Sequence, residues 1–151
     1  MKTKTKYQTL GDFGEAFVAK NCQCPSCKRN GTQKLLPTNF KCADIICDFC
    51  GYLSQVKTAR SKNINVLPDT ILGAAWNVQN ERMQSGIYFS LFVVLVNEET
   101  RHHSIFFLSK DLQTPDMFVP RKPLSSTAKR AGWQGFKLDI KNLKNRFVRI
   151  F

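Results

Sequence analysis

The chain has 151 residues, of which 42% are hydrophobic, and phenylalanine alone occurs twelve times. This composition supplies one full hydrophobic core but not two, so we expect residues 1–151 to form a single domain. Lysine and arginine outnumber aspartate and glutamate by 23 to 11, and the formal net charge of +12 points to a polyanionic partner. The longest apolar run, residues 91–96, is far shorter than the roughly twenty residues of a membrane-spanning helix, so we expect no membrane association.

The N-terminal segment predicts a cytoplasmic protein whose first element is a helix. Residues 1–7 are basic without the apolar stretch of a secretory signal. Residues 11–20 carry apolar side chains at the spacing of one face of an amphipathic helix. Glu15 would lie on this helix, shortly before the first cysteines of the chain.

Four cysteines form two CxxC pairs, Cys24 with Cys27 and Cys47 with Cys50, and nineteen residues separate the pairs. This spacing is typical of a structural zinc site in which four thiolates fill the tetrahedral shell and leave no position for a reactive water. A disulfide framework would require an oxidising compartment, and a redox motif of the thioredoxin kind would be a single CxxC. We therefore expect one structural Zn²⁺.

Two further cysteines, Cys22 and Cys42, lie outside the pairs. Cys22 is close enough to the first pair to serve as an alternative ligand. Because free cysteine is most often a small buried apolar side chain, we expect both residues to lie in the core.

The central part of the chain predicts strands and one helix. Residues 40–46 and 52–58 read as two strands joined through the second cysteine pair. Asp44 lies on the first strand, and Gln55 and Lys57 share one face of the second because side chains alternate along a strand. The pattern then predicts a helix over residues 69–83, strands over 87–96 and 104–108, and a short final strand over 146–151. The two histidines, His102 and His103, stand at a predicted hairpin tip and receive no chemical role.

The C-terminal part of the chain is strongly basic. Residues 121–151 contain nine lysines and arginines and a single acid, Asp139. Such a cluster is typical of a surface that neutralises nucleic-acid phosphates, and the alternative is a basic surface that only maintains solubility.

One loop of this part, residues 121–135, combines charge with a large aromatic side chain. Its glycines allow close backbone approach to DNA, and its lysines and arginines would hold phosphates while the indole packs on a methyl group in the groove. The alternative is that the tryptophan is a core anchor. The predicted DNA-binding residues are Arg121, Lys122, Lys129, Arg130 and Trp133.

The order helix, strand, strand, helix, strand, with Glu15, Asp44 and Gln55-Val56-Lys57, resembles the PD-(D/E)XK nucleases. The resemblance implies an α/β (α+β) fold, in which a mixed central sheet is flanked by helices and here carries a four-cysteine zinc knuckle. It also implies a catalytic Mg²⁺ bound by Asp44, Gln55 and the Val56 carbonyl. Lys57 would orient or help deprotonate the attacking water, and Glu15 would help to complete the metal coordination through a water.

The resemblance becomes closer when the motifs are taken together. Cys24-Pro-Ser-Cys27, Ala43-Asp44, the second CxxC, Gln55-Val-Lys57 and the segment RKPL…RAGW at 121–133 are similar to the catalytic domain of the DpnI-type restriction endonucleases. Those enzymes cut duplex DNA at GATC sites whose adenine is N6-methylated. The resemblance implies a Mg²⁺-dependent type II restriction endonuclease with adenine-methylated double-stranded DNA as partner, and it implies that loop 121–135 contacts the modified adenines.

Two departures from the family pattern leave alternatives open. Gln55 stands where the superfamily usually has an acid, which should weaken Mg²⁺ binding. The chain also ends at Phe151, where the best-known member continues into a winged helix, so we expect recognition from this domain, from a partner or from an assembly, with a monomer as the simplest state. The alternatives are a non-cleaving methyl-DNA-binding module and a nuclease selective for DNA junctions or mismatches.

Overall fold

A computed structural model of the chain describes Thr3 and residues 5–151, without the side chains of Lys6 and Tyr7. This part of the chain has a mixed α+β architecture with two α-helices and two β-sheets. The elements follow one another as α1 (Lys6–Asn21), β1 (Gln33–Leu35), β2 (Ile45–Cys47), β3 (Leu53–Arg60), β4 (Thr70–Ala75), α2 (Trp76–Gln84), β5 (Ser90–Val96), β6 (His103–Leu108), β7 (Phe118–Pro120), β8 (Gly135–Asp139) and β9 (Val148–Arg149). None of the described helices is long and apolar enough to cross a membrane.

The larger sheet has the order β1-β2-β3-β5-β6-β9. Strands β3 and β5 run parallel, whereas the other neighbours are antiparallel, so the sheet is mixed. Parallel neighbours need a crossover connection, and β4 with α2 supplies it. The smaller sheet, β4-β8-β7, is antiparallel.

The hydrophobic core has two parts, one on each face of the larger sheet. On the first face, α1 packs through Val18 against Val56, Phe92 and Ile105. On the second face, the smaller sheet packs against alternate residues of β5, a cluster that includes Ile71, Leu91, Val93, Leu95, Phe136 and Leu138. Every residue of β5 is buried, as expected for a central strand covered on both faces.

The predicted first helix is confirmed, and it is longer than the pattern indicated. Helix α1 begins at Lys6 because Thr5 and Gln8 form a capping box. The Gln8 backbone N–H donates to the Thr5 hydroxyl, and the Thr5 backbone N–H donates to the Gln8 side chain. These two bonds satisfy N–H groups that a helix start otherwise leaves unpaired.

The helix predicted over residues 69–83 is wrong in its first half, which is strand β4. Thr70 and Ile71 are β-branched, and β4 alternates between exposed and buried side chains where it pairs with β8. At Gly73 a Cβ atom would lie 2.4 Å from the Phe136 ring, so this position admits only glycine without rearrangement. Pairing with a distant strand therefore outweighs the local helical spacing.

The strand predicted over residues 40–46 is also shorter than expected. Only β2 is extended, and Cys42 has a φ of +66°, a left-handed conformation that ends strand geometry. Cys42 is half-buried rather than part of the core, whereas Cys22 lies in the core as predicted.

The predicted strands around 52–58, 87–96 and 104–108 are confirmed as β3, β5 and β6, and the final strand is reduced to β9. Strands β1, β7 and β8 were not predicted.

Candidate active site

The four cysteines of the two CxxC pairs form one cluster. Their sulfur atoms all lie within 4.8 Å of one another. The Cys24 and Cys50 sulfurs are 3.5 Å apart, and those of Cys27 and Cys47 are 3.7 Å apart. A tetrahedral zinc ion with Zn–S bonds of about 2.3 Å needs sulfurs separated by about 3.8 Å. The cluster could therefore hold a zinc ion with little change.

The backbone forms the two cysteine pairs with matching tight turns. After the second pair, Gly51 has a φ of +79° and its N–H donates to the Cys47 carbonyl at 2.8 Å. In the first pair, Lys28 has a φ of +64° and its N–H donates to the Cys24 carbonyl at 3.0 Å. The turns point both pairs of thiols at one centre.

Two cysteines of the cluster differ in acidity. Burial opposes ionisation of Cys47, but hydrogen bonds with the Thr32 side chain and with backbone groups outweigh it and lower the pKa of Cys47 to about 6. Burial raises the pKa of Cys24 to about 12. A zinc ion bound at the cluster would displace the thiol protons, because zinc binds the thiolate form of cysteine.

A cleft opens where β2 separates from β3. The Asp44 backbone N–H donates to the Ser54 carbonyl at 2.9 Å, and the Asp44 carboxylate then accepts from the Val56 N–H at 2.7 Å. The Asp44 carboxylate thus accepts a hydrogen bond that the backbone of a longer β2 would otherwise accept from β3. Beyond this point the edge of β3 is open and borders a cleft of about 1020 Å³ between α1 and β4.

Two carboxyl groups meet in this cleft. Glu15, on α1, hydrogen-bonds to Asp44 through its side chain. Burial raises the pKa of Glu15 to about 7, and the charge and hydrogen bond of Asp44 add to the rise. A carboxyl pair that shares a proton is an arrangement in which a divalent cation can replace that proton, so the site could bind a metal.

Lys57 faces the same cleft from β3. Burial lowers the pKa of Lys57, and the nearby charges of Asp44, Cys42 and Glu15 partly offset the effect. Its ammonium lies 5.9 Å from the centre of the Phe136 ring at the start of β8. A cation is thus held beside the two carboxyls.

The remaining predicted residues of the site are placed differently. Val56 lines the cleft, and its carbonyl points to the same open edge as its N–H, because both groups of a strand residue face the same side. Gln55 is buried, with 8% of its surface exposed, and does not line the cleft. The structure therefore brings together Glu15, Asp44, Val56 and Lys57, with Gln55 outside the cleft wall.

Loop 121–135 joins β7 to β8 and is closed by its own hydrogen bonds. The Arg121 N–H donates to the Gly135 carbonyl, and the Leu124 N–H donates to the Trp133 carbonyl, both at 2.9 Å. The Arg130 guanidinium lies 4.6 Å from the centre of the Trp133 indole. Trp133 is half-buried and belongs to neither core cluster, and a Cβ at Gly135 would lie 2.9 Å from the indole ring. The indole thus lies over the glycine backbone.

The base of the loop adjoins the cleft. Gly135 pairs with Ala75 at the end of β4, and the Trp76 N–H donates to the Gln134 carbonyl at 2.9 Å. Residues 70–74 of the same strand line the cleft. Of the other predicted DNA-binding residues, Arg121, Lys122 and Lys129 are exposed.

A model of the DpnI family, described as the Dam-replacing family, matches residues 1–150, essentially the whole chain. The chain belongs to the DpnI family. The resemblance inferred from the motifs is thereby confirmed. Membership of the DpnI family supports a methylation-dependent function on DNA and fits a nuclease.

Some neighbours of the cleft were missed by the sequence reasoning. Cys42 and Arg82 are close enough for their charges to interact, and Cys42 also interacts with Lys57 and Asp44. The position of Cys42, two residues before Asp44, was the available signal. The β4 wall was missed because its residues were assigned to a helix, although the alternation at Thr70 and Ile71 indicated a strand.

Proposed function

We propose that the protein is a Mg²⁺-dependent endonuclease that cuts double-stranded DNA at or near sites containing N6-methyladenine, with GATC as the expected example. The observation that carries the proposal is the meeting of Glu15, Asp44 and Lys57 at the open edge of β3. One acid on a helix, a second acid directly before β2 and a lysine on the neighbouring strand β3 are the arrangement expected of a PD-(D/E)XK core. Membership of the DpnI family supports the same function, a nuclease that depends on DNA methylation.

The donor atoms fit a magnesium ion. Mg²⁺ prefers hard oxygen ligands and retains several waters, so it needs few protein groups. The Asp44 carboxylate and the Val56 carbonyl would bind directly, and Glu15 would act through a water. The Gln55 amide would complete the set only after turning toward the cleft.

The chemistry is divided between the ion and the side chains of the cleft. Mg²⁺, when bound, polarises the scissile phosphate and neutralises charge that develops on it. Lys57 donates hydrogen bonds to the attacking water and to the phosphate oxygen, and its lowered pKa eases its part in proton transfer. Asp44 would hold the ion beside Lys57, because the hydrogen bond from the Val56 N–H fixes the Asp44 carboxylate against β3.

Recognition is assigned to loop 121–135. Arg121, Lys122, Lys129 and Arg130 would hold phosphates, which positions the duplex without reading its sequence. The indole of Trp133 would pack against the adenine methyl groups in the groove, supported from behind by Gly135. The pairing of Gly135 with the end of β4 would then place the bound site beside the cleft.

The zinc cluster is assigned a structural role. Its four ligands come from the segment after α1, from the last residue of β2 and from the turn that follows β2. A bound zinc would therefore hold the end of β2, a strand that directly follows Asp44, against the segment after α1. No coordination position would remain for a water, so hydrolysis is assigned to the carboxylate cleft.

The test is plasmid cleavage with DNA from adenine-methylating and non-methylating hosts. Zinc-loaded protein with Mg²⁺ should cut the methylated plasmid, and replacing Mg²⁺ by Ca²⁺ should leave DNA bound and intact. Equal cutting of both plasmids would contradict the methyl specificity. Preferential cutting of branched or mismatched duplexes would identify a structure-selective nuclease instead.

A second candidate function is a methyl-DNA-binding module that does not cut. The observation that favours it is Gln55, which is neutral, buried and outside the cleft lining. Methyl-dependent binding without Mg²⁺-dependent products would establish this function. Gln55→Glu separates the two candidates, because an added carboxylate should retain or raise cleavage at low Mg²⁺ in a nuclease and should produce no cleavage in a binding module.

A further inference from the structure

We propose that Gly14 is a positioning residue for the carboxylate cleft, because its missing side chain lets α1 approach β3 at Thr58 and so holds Glu15 against Asp44. The inference rests on the proposed metal site, which it deepens. Gly14 itself contacts no reacting group and would act only through Glu15.

The contact between the two elements leaves no room for a side chain. A Cβ added to Gly14 would lie 1.7 Å from the Thr58 Oγ1 atom, 2.9 Å from its Cβ and 3.1 Å from its Cγ2. Rotation of the threonine side chain would move Oγ1 and Cγ2 but not Cβ, whose distance is already shorter than real Cβ contacts. An alanine at position 14 must therefore displace α1 or β3.

Thr58 supports the view that this contact is specific. Its Oγ1 atom is buried and has no hydrogen-bond partner, which normally destabilises a protein. The hydroxyl instead occupies the space that a side chain at position 14 would need. The helix and the strand thus meet at a point where even one methyl group is excluded.

This point adjoins the site on both elements. Glu15 follows Gly14 on α1, and Thr58 follows Lys57 on β3. Because a helix moves as a rigid element, a displacement of about 1 Å at Gly14 carries the Glu15 carboxyl by a similar distance, enough to break a hydrogen bond or misplace a ligand. The distance between α1 and β3 therefore controls whether the Glu15 carboxyl reaches Asp44.

The chain contains a matched control in the same helix. Gly11 lies three residues before Gly14 on α1, and a Cβ added there would meet nothing within 4 Å. Alanine is a better helix former than glycine, so both substitutions should favour the helix equally. A defect confined to Gly14→Ala must then come from its contact with Thr58.

The experiment compares the parent protein with Gly11→Ala, Gly14→Ala, Thr58→Gly and the double variant Gly14→Ala/Thr58→Gly. The readouts are Mn²⁺ affinity by electron paramagnetic resonance on zinc-loaded protein, cleavage of methylated plasmid, and thermal unfolding. Gly14→Ala should weaken Mn²⁺ binding by about tenfold or more, as expected when a group that supports a metal ligand is displaced. Gly11→Ala should match the parent.

Rescue distinguishes positioning from a general packing defect. In the Thr58→Gly background the obstructing atoms are absent, so adding Gly14→Ala should leave Mn²⁺ affinity unchanged. An equal loss in both backgrounds would overturn the inference, as would parental Mn²⁺ affinity in a folded Gly14→Ala protein. If Gly14→Ala does not fold, the test is the comparison of Mn²⁺ affinity between Thr58→Gly and the double variant. A parent that binds Mn²⁺ but cuts no DNA would overturn the proposed nuclease and leave this inference standing.

Discussion

Asp44 makes a structural hydrogen bond and is also the proposed ligand of Mg²⁺. Its carboxylate accepts from the Val56 N–H where the ladder between β2 and β3 ends, and it hydrogen-bonds to Glu15 across the cleft. A buried N–H that loses its acceptor destabilises the fold. Replacement of Asp44 by alanine therefore combines a structural loss with a loss of charge, and an isosteric amide separates them.

Asp44→Asn should fold normally and bind methylated DNA but cut it at a rate lower by roughly 100-fold or more, because the amide keeps an acceptor for Val56 and removes the charge that binds Mg²⁺. Asp44→Ala should in addition lose about 1–3 kcal/mol of stability. Urea unfolding and plasmid cleavage measure the two effects. The control is Asp48→Asn, an exposed acid 3.9 Å from Lys34, which should behave as the parent. Parental cutting by Asp44→Asn would contradict the site.

Glu15 makes the stability of the Mg²⁺-free protein depend on pH. Its pKa rises from an ordinary value of 4.5 to about 7 in the fold. Between these values the unfolded chain has lost the proton that the folded protein still holds, so stability falls as pH rises from about 4.5 to about 7.

Glu15→Gln should remove this dependence, because the amide does not titrate. Relative to the parent, the variant should gain roughly 1–3 kcal/mol of stability between pH 5 and pH 8, after allowance for solvent screening. Urea unfolding at both pH values, with zinc present and no Mg²⁺, measures the gain. Identical pH profiles for the two proteins would show that Glu15 ionises normally.

At the scale of elements, the cysteine turns and the β2–β3 hairpin form one unit. Strand β2 pairs with β3 at only two positions before Asp44 takes over the ladder. So short a strand has little stability of its own. The four-cysteine cluster ties the hairpin to the segment after α1, and a bound zinc would supply the stability that the short pairing lacks.

Cys47→Ser should reduce bound zinc below the expected value of about one ion per chain and lower the unfolding temperature, because a hydroxyl is a weak zinc ligand. Metal analysis and thermal unfolding are the measurements. The control is Cys42→Ser, which changes a thiol outside the cluster and should keep the zinc. Unchanged zinc content and stability in Cys47→Ser would refute the structural site.

At the scale of the whole molecule, the two faces of the larger sheet carry different parts of the proposed function. Helix α1 covers one face and contributes Glu15, whereas the smaller sheet covers the other and carries loop 121–135. The open edge of β3, with Asp44 and Lys57, lies between the two layers. Reading and cutting would thus be coupled through the common sheet, and the net charge of +12 would draw the duplex to both.

Trp133→Ala should reduce the preference for methylated over plain GATC more than it reduces stability, since the indole lies outside both core clusters. Lys129→Ala should instead weaken binding to all sequences and reduce the salt slope by about one unit. Lys129 is the better charge control because Arg130 stacks on the indole. Unchanged preference combined with a large fall in melting temperature would show that Trp133 is a packing residue and that the reader lies elsewhere.

Several features followed from the sequence because they depend on short-range patterns. The CxxC spacing predicted the four-cysteine cluster, and local periodicity predicted α1, β3, β5 and β6. The motifs as a set predicted the family, which the match over residues 1–150 confirms. Asp44, Lys57 and Glu15 were selected by motif, and their chemical roles remain predictions.

Other features were decided only by the tertiary structure, because they depend on residues far apart in the chain. The first half of the predicted helix is strand β4 because β8, more than sixty residues later, pairs with it and Phe136 fills the space at Gly73. The contact of Glu15 with Asp44 depends on how closely α1 approaches β3. In our proposal Gly14 and Thr58 set this distance, and the identities of these two residues in the sequence do not predict that they are in contact. Local sequence patterns thus indicated which chemical groups the site could use, whereas strand pairing and the close packing of α1 on the sheet determined which of those groups come into contact.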